Sequence, residues 1–146
     1  MITITKIKQE DLPALKELYD KGFQNTITDF EKMQKVFAFV EKNSDYTLLC
    51  AKEEDEMIGS MLGVVNRGII GECRPFMVIE DVVVSSSHRR KKVATRLMEQ
   101  MEEIAKENNC IVMMLMSRMK RKGAHQFYES LGFRGDLAIG FKKYLR

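Results

Sequence analysis

The stretch from 76 to 116 constrains this chain more than any other. An apolar run from Phe76 to Val84 is broken only by Glu80 and Asp81. Three serines and the basic cluster Arg89-Arg90-Lys91-Lys92 follow, then residues at helical spacing, then a second apolar run at 110–116, CIVMMLM. That order predicts a strand, a polar loop, a helix from about Val93 to Asn109 and a second strand covered on both faces. A strand–helix–strand unit joins two parallel strands, and ligands in such sheets gather at the strands' carboxyl ends, where the basic loop lies. A helix start with unsatisfied N–H groups and basic side chains is an anion site. The loop therefore suits the pyrophosphate of a nucleotide cofactor.

The rest of the chain supplies elements to pack around this unit. Ile2 and Ile4 alternate with Thr3 and Thr5, as in a half-buried first strand. Asp11 as cap and Pro13 in the first turn introduce a helix carrying Leu12, Leu15, Leu18, Tyr19 and Gly22. Thr28 with Glu31 forms a capping-box pattern before the stripe Phe30, Met33, Phe37 and Val40, which ends near Asn43. Tyr46 to Ala51 and Met57 to Val65 read as a hairpin turned by the acidic KEEDE, and 66–75 as a surface connection. Val93, Leu97, Met101, Ile104 and Ala105 face inward from the third helix. A last helix, roughly Lys120 to Leu131, is stopped by Gly132 and followed by closing strands bearing Leu137, Ile139, Phe141 and Tyr144.

Bulk properties narrow the function classes. The 146 residues suit one domain, 1–146, with a sizeable core. Twenty-four basic against 21 acidic residues leave a net charge of +3, and no aromatics interleave the basic residues, which disfavours a nucleic-acid module. Cys50, Cys73 and Cys110 match no zinc or CxxC spacing; near apolar residues, they read as reduced and buried, pointing to the cytoplasm, and no metal is expected. The charged start reads as no signal peptide, and no apolar run spans a bilayer.

Two stretches resemble the GNAT N-acetyltransferases. That family's cofactor signature, Gln/Arg-x-x-Gly-x-Gly/Ala after a strand ending in valine, is similar to Arg89-Arg90-Lys91-Lys92-Val93-Ala94 after Val84, with Thr95 and Leu97 at the usual places. A second signature stands as Gln126-Phe127-Tyr128-Glu129-Ser130-Leu131-Gly132-Phe133. The resemblance implies the acyl-CoA N-acyltransferase fold, an α/β mixed sheet, mostly antiparallel with one splayed parallel pair, flanked by about four helices. It implies transfer from acetyl-CoA to a primary amine of a small molecule or peptide, by direct attack in a ternary complex. Lys92 departs from the pattern, standing at the signature's first glycine. It either takes ordinary helical angles and leaves the N–H groups available, or weakens cofactor binding. The same fold without turnover, an acyl-CoA sensing domain, is the alternative.

The resemblance also implies residue roles. Main-chain groups of Val82, Val83 and Val84 would pair with the pantetheine arm, and Arg89, Arg90, Lys91, Lys92, Val93, Ala94 and Thr95 would cradle the pyrophosphate. Tyr128 matches the family's acid for the leaving thiolate, although its spacing also suits a core tyrosine. Relatives carry an acid at either of the positions of Glu80 and Asp81. Adjacent strand residues point to opposite faces, so only one can meet the substrate directly. Glu80, taken to share a face with Val82 and Val84, is preferred as base, with Asp81 or water as alternatives. His125 reads as a satisfied residue. Arg118, Lys120, Arg121 and Lys122 read as a solvated face that could instead reach the 3′-phosphate of CoA. Edge strands in such folds often pair between subunits, so a homodimer is expected; neither nucleic acid nor membrane is expected as a partner.

Overall fold

The computed structural model describes residues 1–89 and 91–145. A five-stranded sheet runs in the order β1 (Ile2–Lys6), β2 (Tyr46–Glu53), β3 (Glu56–Asn66), β4 (Phe76–Val84), β5 (Met113–Met114). The first four strands are antiparallel and β4–β5 is parallel. Helices α1 (Leu12–Gly22), α2 (Phe30–Lys42), α3 (Val93–Glu107) and α4 (Lys122–Ser130) flank it. This is the mixed sheet with one parallel pair that the sequence suggests.

Two apolar layers sandwich the sheet. On one face Val93, Leu97, Met98, Met101 and Ala105 of α3 meet Leu49, Ala51, Ile58, Met61, Val65, Met77 and Ile79. On the other, Leu12, Leu15 and Leu18 of α1 and Phe37 of α2 meet Cys50, Met57 and Val83. Each fully buried aliphatic side chain contributes roughly 1.5–3 kcal/mol, so these layers dominate the fold's stability. Gly59 and Gly63 bring α3 close: a β-carbon at either would press on Val93 or on Met101. The β2–β3 hairpin turns through Glu54 and Asp55, both at positive φ (49° and 71°), the conformation that matches strand twist.

Several local expectations are corrected. Asp29, not Thr28, caps α2, accepting from the Lys32 N–H at 3.1 Å; the Thr28 N–H is taken by Asp20 at 2.8 Å. Asp11 does not cap α1 with its side chain. Its carboxylate accepts from the Lys8 N–H and pairs with Lys52 at 2.7 Å. Cys73 is exposed in the 66–75 connection, while Cys50 is buried and Cys110 half-buried.

The larger corrections lie at the end of the chain. The strand after α3 is covered on one face only: Met113 and Leu115 pack on the α3 layer, whereas Ile111, Val112, Met114 and Met116 are exposed. The expected closing strands do not form among the described residues. Leu137, Ile139, Phe141 and Tyr144 are all exposed, and Gly140 passes the Met116 sulfur without a backbone ladder. Alternation in 137–141 signals a strand, but an alternating segment becomes one only when a partner edge takes its hydrogen bonds.

Candidate active site

β4 carries the site through two departures from regular pairing. The first is on its β5 edge. Parallel pairing is confined to Met77 with Met113 and Val78 with Met114. From Ile79 to Val84 that edge has no ladder partner among the described residues, so the two strands splay open. Val82, Val83 and Val84 lie on this open edge.

The second departure is on the β3 side. Leu62 pairs with Glu80 and Ser60 with Val83, so the single residue Met61 opposes both Asp81 and Val82. This is a β-bulge, and Asp81 adopts φ +53° within it. The bulge inverts the alternation. Met77 and Ile79 point to α3 before it, Val82 and Val84 after it, and Val83 joins the α1 layer. Glu80 shares a shallow groove with Leu62, Val64, Asn66 and Val78 on the face opposite α3. Counting back from Val82 and Val83, Asp81 lies on that same face. The expectation that Glu80 shares a face with Val82 and Val84, and that the acids point oppositely, is therefore corrected. Strict alternation fails wherever one strand carries an extra residue.

The two acids differ in surroundings. Asp81 keeps appreciable surface in contact with solvent, yet protein crowds the concavity it sits in, and this desolvation pushes its carboxyl above the ordinary aspartate range. No ion pair reaches it among the described residues. Tyr19 of α1 stands near enough that the Asp81 charge adds to burial in raising the phenol's pKa, while the Ser60 hydroxyl opposes the rise. Glu80 is exposed in its groove.

The loop after β4 leads into α3. Ser85 donates its N–H to Ile58 O at 2.8 Å, and residues 86–88 make one 3₁₀ turn. Glu53 on β2 reaches His88 (3.7 Å) and Lys91 (3.3 Å), tying the loop to the hairpin. Lys92 does not take the ordinary helical angles of the first alternative. It sits at φ 60°, ψ 29°, the left-handed conformation that a glycine supplies freely, and it opens α3 as its N-cap. The backbone thus has a conformation that glycine adopts without strain, with Val93, Ala94 and Thr95 forming the first turn beyond it. Arg89 is exposed next to that turn; Arg90 lies outside the described residues.

Tyr128 packs with Phe127 (5.4 Å) and Phe133 (6.0 Å) against the layer that Val82 and Val84 also join. Burial raises its pKa, with Arg121 opposing. Gly132 at φ +95° ends α4, and the Phe133 N–H bonds to Tyr128 O. His125 meets Arg118 O at 2.7 Å, the satisfied state expected of it. Sequence reasoning missed three residues. Tyr19 looked like one more apolar stripe position. His88 lay outside the signature. Ser117, just past the carboxyl end of β5, has a buried hydroxyl without a hydrogen-bond partner among the described residues, a group that a bound ligand would satisfy.

Residues 9–133 match the acetyltransferase (GNAT) family. The chain belongs to that family. Its fold is shared with a putative acetyltransferase from Agrobacterium tumefaciens at 24% identity and a TM-score of 0.89, covering 98% of this chain and 99% of that one. It is also shared with glucosamine-6-phosphate N-acetyltransferase from Arabidopsis thaliana at 22% identity and TM-score 0.86, over 100% and 99% of the two chains. An aminoglycoside antibiotic 6'-N-acetyltransferase from Acinetobacter baumannii aligns over 100% of both chains at 18% identity, with TM-score 0.79. No match was found among curated protein sequences. Among the described residues, no helix of this GNAT family member is long and apolar enough to cross a membrane.

The family generally uses acetyl-CoA, and the residues present fit it. The splayed β4 edge can receive an extended amide-bearing arm, and the left-handed Lys92 leaves the first turn of α3 approachable. The unpartnered Ser117 hydroxyl adds a donor at the carboxyl ends of the parallel strands.

Proposed function

We propose that the protein transfers the acetyl group of acetyl-CoA to a primary amine of a small molecule or peptide. The amine attacks directly while both substrates are bound. The observation that carries this reading is the juxtaposition on β4: an unpaired edge suited to the acyl donor, and, within the bulge, a solvent-reached carboxylate of raised pKa.

Acetyl-CoA supplies the thioester, whose carbonyl carbon gains the new C–N bond as the C–S bond breaks. Val82, Val83 and Val84 hold the pantetheine arm by main-chain hydrogen bonds, and a backbone N–H of this strand polarises the carbonyl. Arg89, Arg90, Lys91 and Lys92, with the N–H groups of Val93, Ala94 and Thr95, hold the pyrophosphate at the start of α3. Ser117 donates to the same arm. Asp81 takes the proton of the incoming ammonium on its carboxylate, a role its raised pKa suits better than that of an ordinary aspartate. Glu80, on the same face, binds the acceptor in the groove. Tyr128 holds its proton because it is buried and donates it towards the departing sulfur.

The deciding experiment incubates the protein with acetyl-CoA and a panel of amines, following free thiol and product mass. Thiol release with acetylated product supports the reading. Acetyl-CoA binding without thiol release across the panel favours an acyl-CoA sensing domain. Free thiols at all three cysteines, one of them exposed, support a cytoplasmic setting, and the uncovered face of β5 supports a homodimer.

A further inference from the structure

We propose that the acceptor is a primary amine charged at one end only and built on an apolar body, rather than an amino sugar or a polyamine. This deepens the acetyl-transfer reading and rests on it for the bound amine being the acceptor. Leu62, Val64, Asn66, Val78 and Glu80 line a groove of about 400 Å³ on the sheet face opposite α3, a volume suited to a small molecule. The strand register orders them. Leu62 stands opposite Glu80, Val64 opposite Val78 and Asn66 opposite Phe76. Residues two apart share a face, so the groove has a carboxylate at the end next to the bulge, three aliphatic side chains in the middle and an amide at the other end. From Glu80 to the level of Phe76 its ends lie roughly 13 Å apart along the strand. α1 covers this face further along, at Val83, and leaves the stretch open.

Charge is confined to one end of this groove. Glu80 and Asp81 share its face at the bulge, and no ion pair neutralises either among the described residues. One ammonium suits that end: Glu80 holds it while Asp81 takes its proton. Next to Asn66, Arg67 is paired with Asp45 at 2.6 Å, so these two charges cancel. A second ammonium, as in a polyamine, would lie on Leu62, Val64 and Val78 or against a neutral amide. The hydroxyls of an amino sugar would be desolvated on the same three side chains without partners. Methylenes or an aromatic ring lose nothing there and bury apolar surface. Asn66 donates one amide N–H to Val64 O at 3.2 Å, which fixes its side chain. Its Oδ1 and second N–H remain for a hydroxyl or amide at the far end of the acceptor.

The test titrates amines calorimetrically into the protein saturated with coenzyme A, and measures kcat/KM with acetyl-CoA for the same set. The probes are octylamine, 8-aminooctanol, octamethylenediamine, spermidine and glucosamine. The amino alcohol should bind at least about tenfold more tightly than the diamine, spermidine or glucosamine. Its margin over octylamine should be about threefold, the worth of one hydrogen bond, and Asn66→Leu should erase it. Val78→Thr keeps the side chain's shape and strand preference but puts a hydroxyl in the floor, and should narrow the margin over glucosamine a few-fold. Spermidine or glucosamine in first place, or no binding by any of the five, overturns the proposal. So does a margin over octylamine that survives Asn66→Leu. Because binding to the coenzyme A complex needs no turnover, the expected order of affinities without acetylation would count against the transfer reading alone.

Discussion

Gly22 of α1 and Val83 of β4 meet so closely that a β-carbon on Gly22 would overlap Cγ2 of Val83. Gly22→Ala would gain up to about 1 kcal/mol of helix propensity, but overpacking at such a contact costs about 1–3 kcal/mol. The expected outcome is net destabilisation of about 1 kcal/mol, a fall of roughly 2–4 °C in Tm. In combination with Val83→Ala the methyl has room, and adding Gly22→Ala should then cost nothing. Thermal melts of the four proteins of this cycle decide it; a stabilised Gly22→Ala single variant would show that the contact is slack.

Lys92 holds a left-handed backbone that costs a non-glycine residue about 1–2 kcal/mol. Lys92→Gly removes that strain and regains about 1 kcal/mol after the entropy of a more flexible unfolded chain is counted. Lys92→Val, branched at the β-carbon, should lose stability and acetyl-CoA affinity together. Melting temperatures and calorimetric titration with acetyl-CoA measure both. Weaker binding by the glycine variant would mean that the lysine ammonium itself carries the phosphate contact.

The two acids of β4 are separable by their pH behaviour. The base works deprotonated, and desolvation holds Asp81 above the ordinary carboxylate range. kcat/KM should therefore rise with pH through a limb displaced upward from that range. Asp81→Asn should abolish the limb and lower kcat/KM by about a hundredfold or more. Glu80→Gln should keep the limb and raise the amine's KM a few-fold. The opposite ranking would return the role to Glu80.

Tyr128→Phe leaves the aromatic packing with Phe127 and Phe133 in place and removes the donor to sulfur. Turnover should drop by about 10- to 100-fold with acetyl-CoA affinity nearly intact. Stopped-flow thiol release and equilibrium binding give the two numbers, and unchanged turnover would leave Tyr128 as a core residue.

Asp11 makes the fold sensitive to acid. Burial works against its charge, but Lys52 and the Lys8 N–H outweigh that and hold its pKa below the ordinary value of 3.8. A carboxyl depressed in the folded state stabilises above its unfolded pKa, and the contribution is lost as pH falls through the folded one. Asp11→Asn should cost about 1–3 kcal/mol at pH 7, the worth of hydrogen bonds to a charged group. As pH falls below the ordinary aspartate value and through the lowered folded-state one, the urea midpoints of the two proteins should converge. A constant difference across that range would mean that the ion pair contributes nothing.

The elements were largely legible because their signals are local. Helical stripes, the KEEDE turn and the glycine after α4 each act within a few residues, and the signature loop is contiguous. The faces of Glu80 and Asp81 were misread because a bulge depends on which residues of β3 lie opposite, and pairing is not written in either strand alone. Tyr19 escaped notice for the same reason: the strand it packs over is set by the seating of Gly22 of α1 on Val83, far along the chain. The open face after β5 was hidden because an apolar run looks alike whether one side or both is covered. Alternation at Leu137, Ile139 and Phe141 predicts a strand without naming its edge.

The bulge on β4 also limits what chemistry the position can host. Ile79 before it and Val83 after it are locked into the two apolar layers, so they are not free to change character. Asp81 belongs to neither layer, yet its left-handed backbone admits few side chains: glycine, asparagine and aspartate adopt it readily, and branched or bulky ones do not. Of those three, only aspartate can accept a proton near neutral pH. The backbone thus narrows the alphabet at this position before any substrate arrives, and among what remains a single letter is a base.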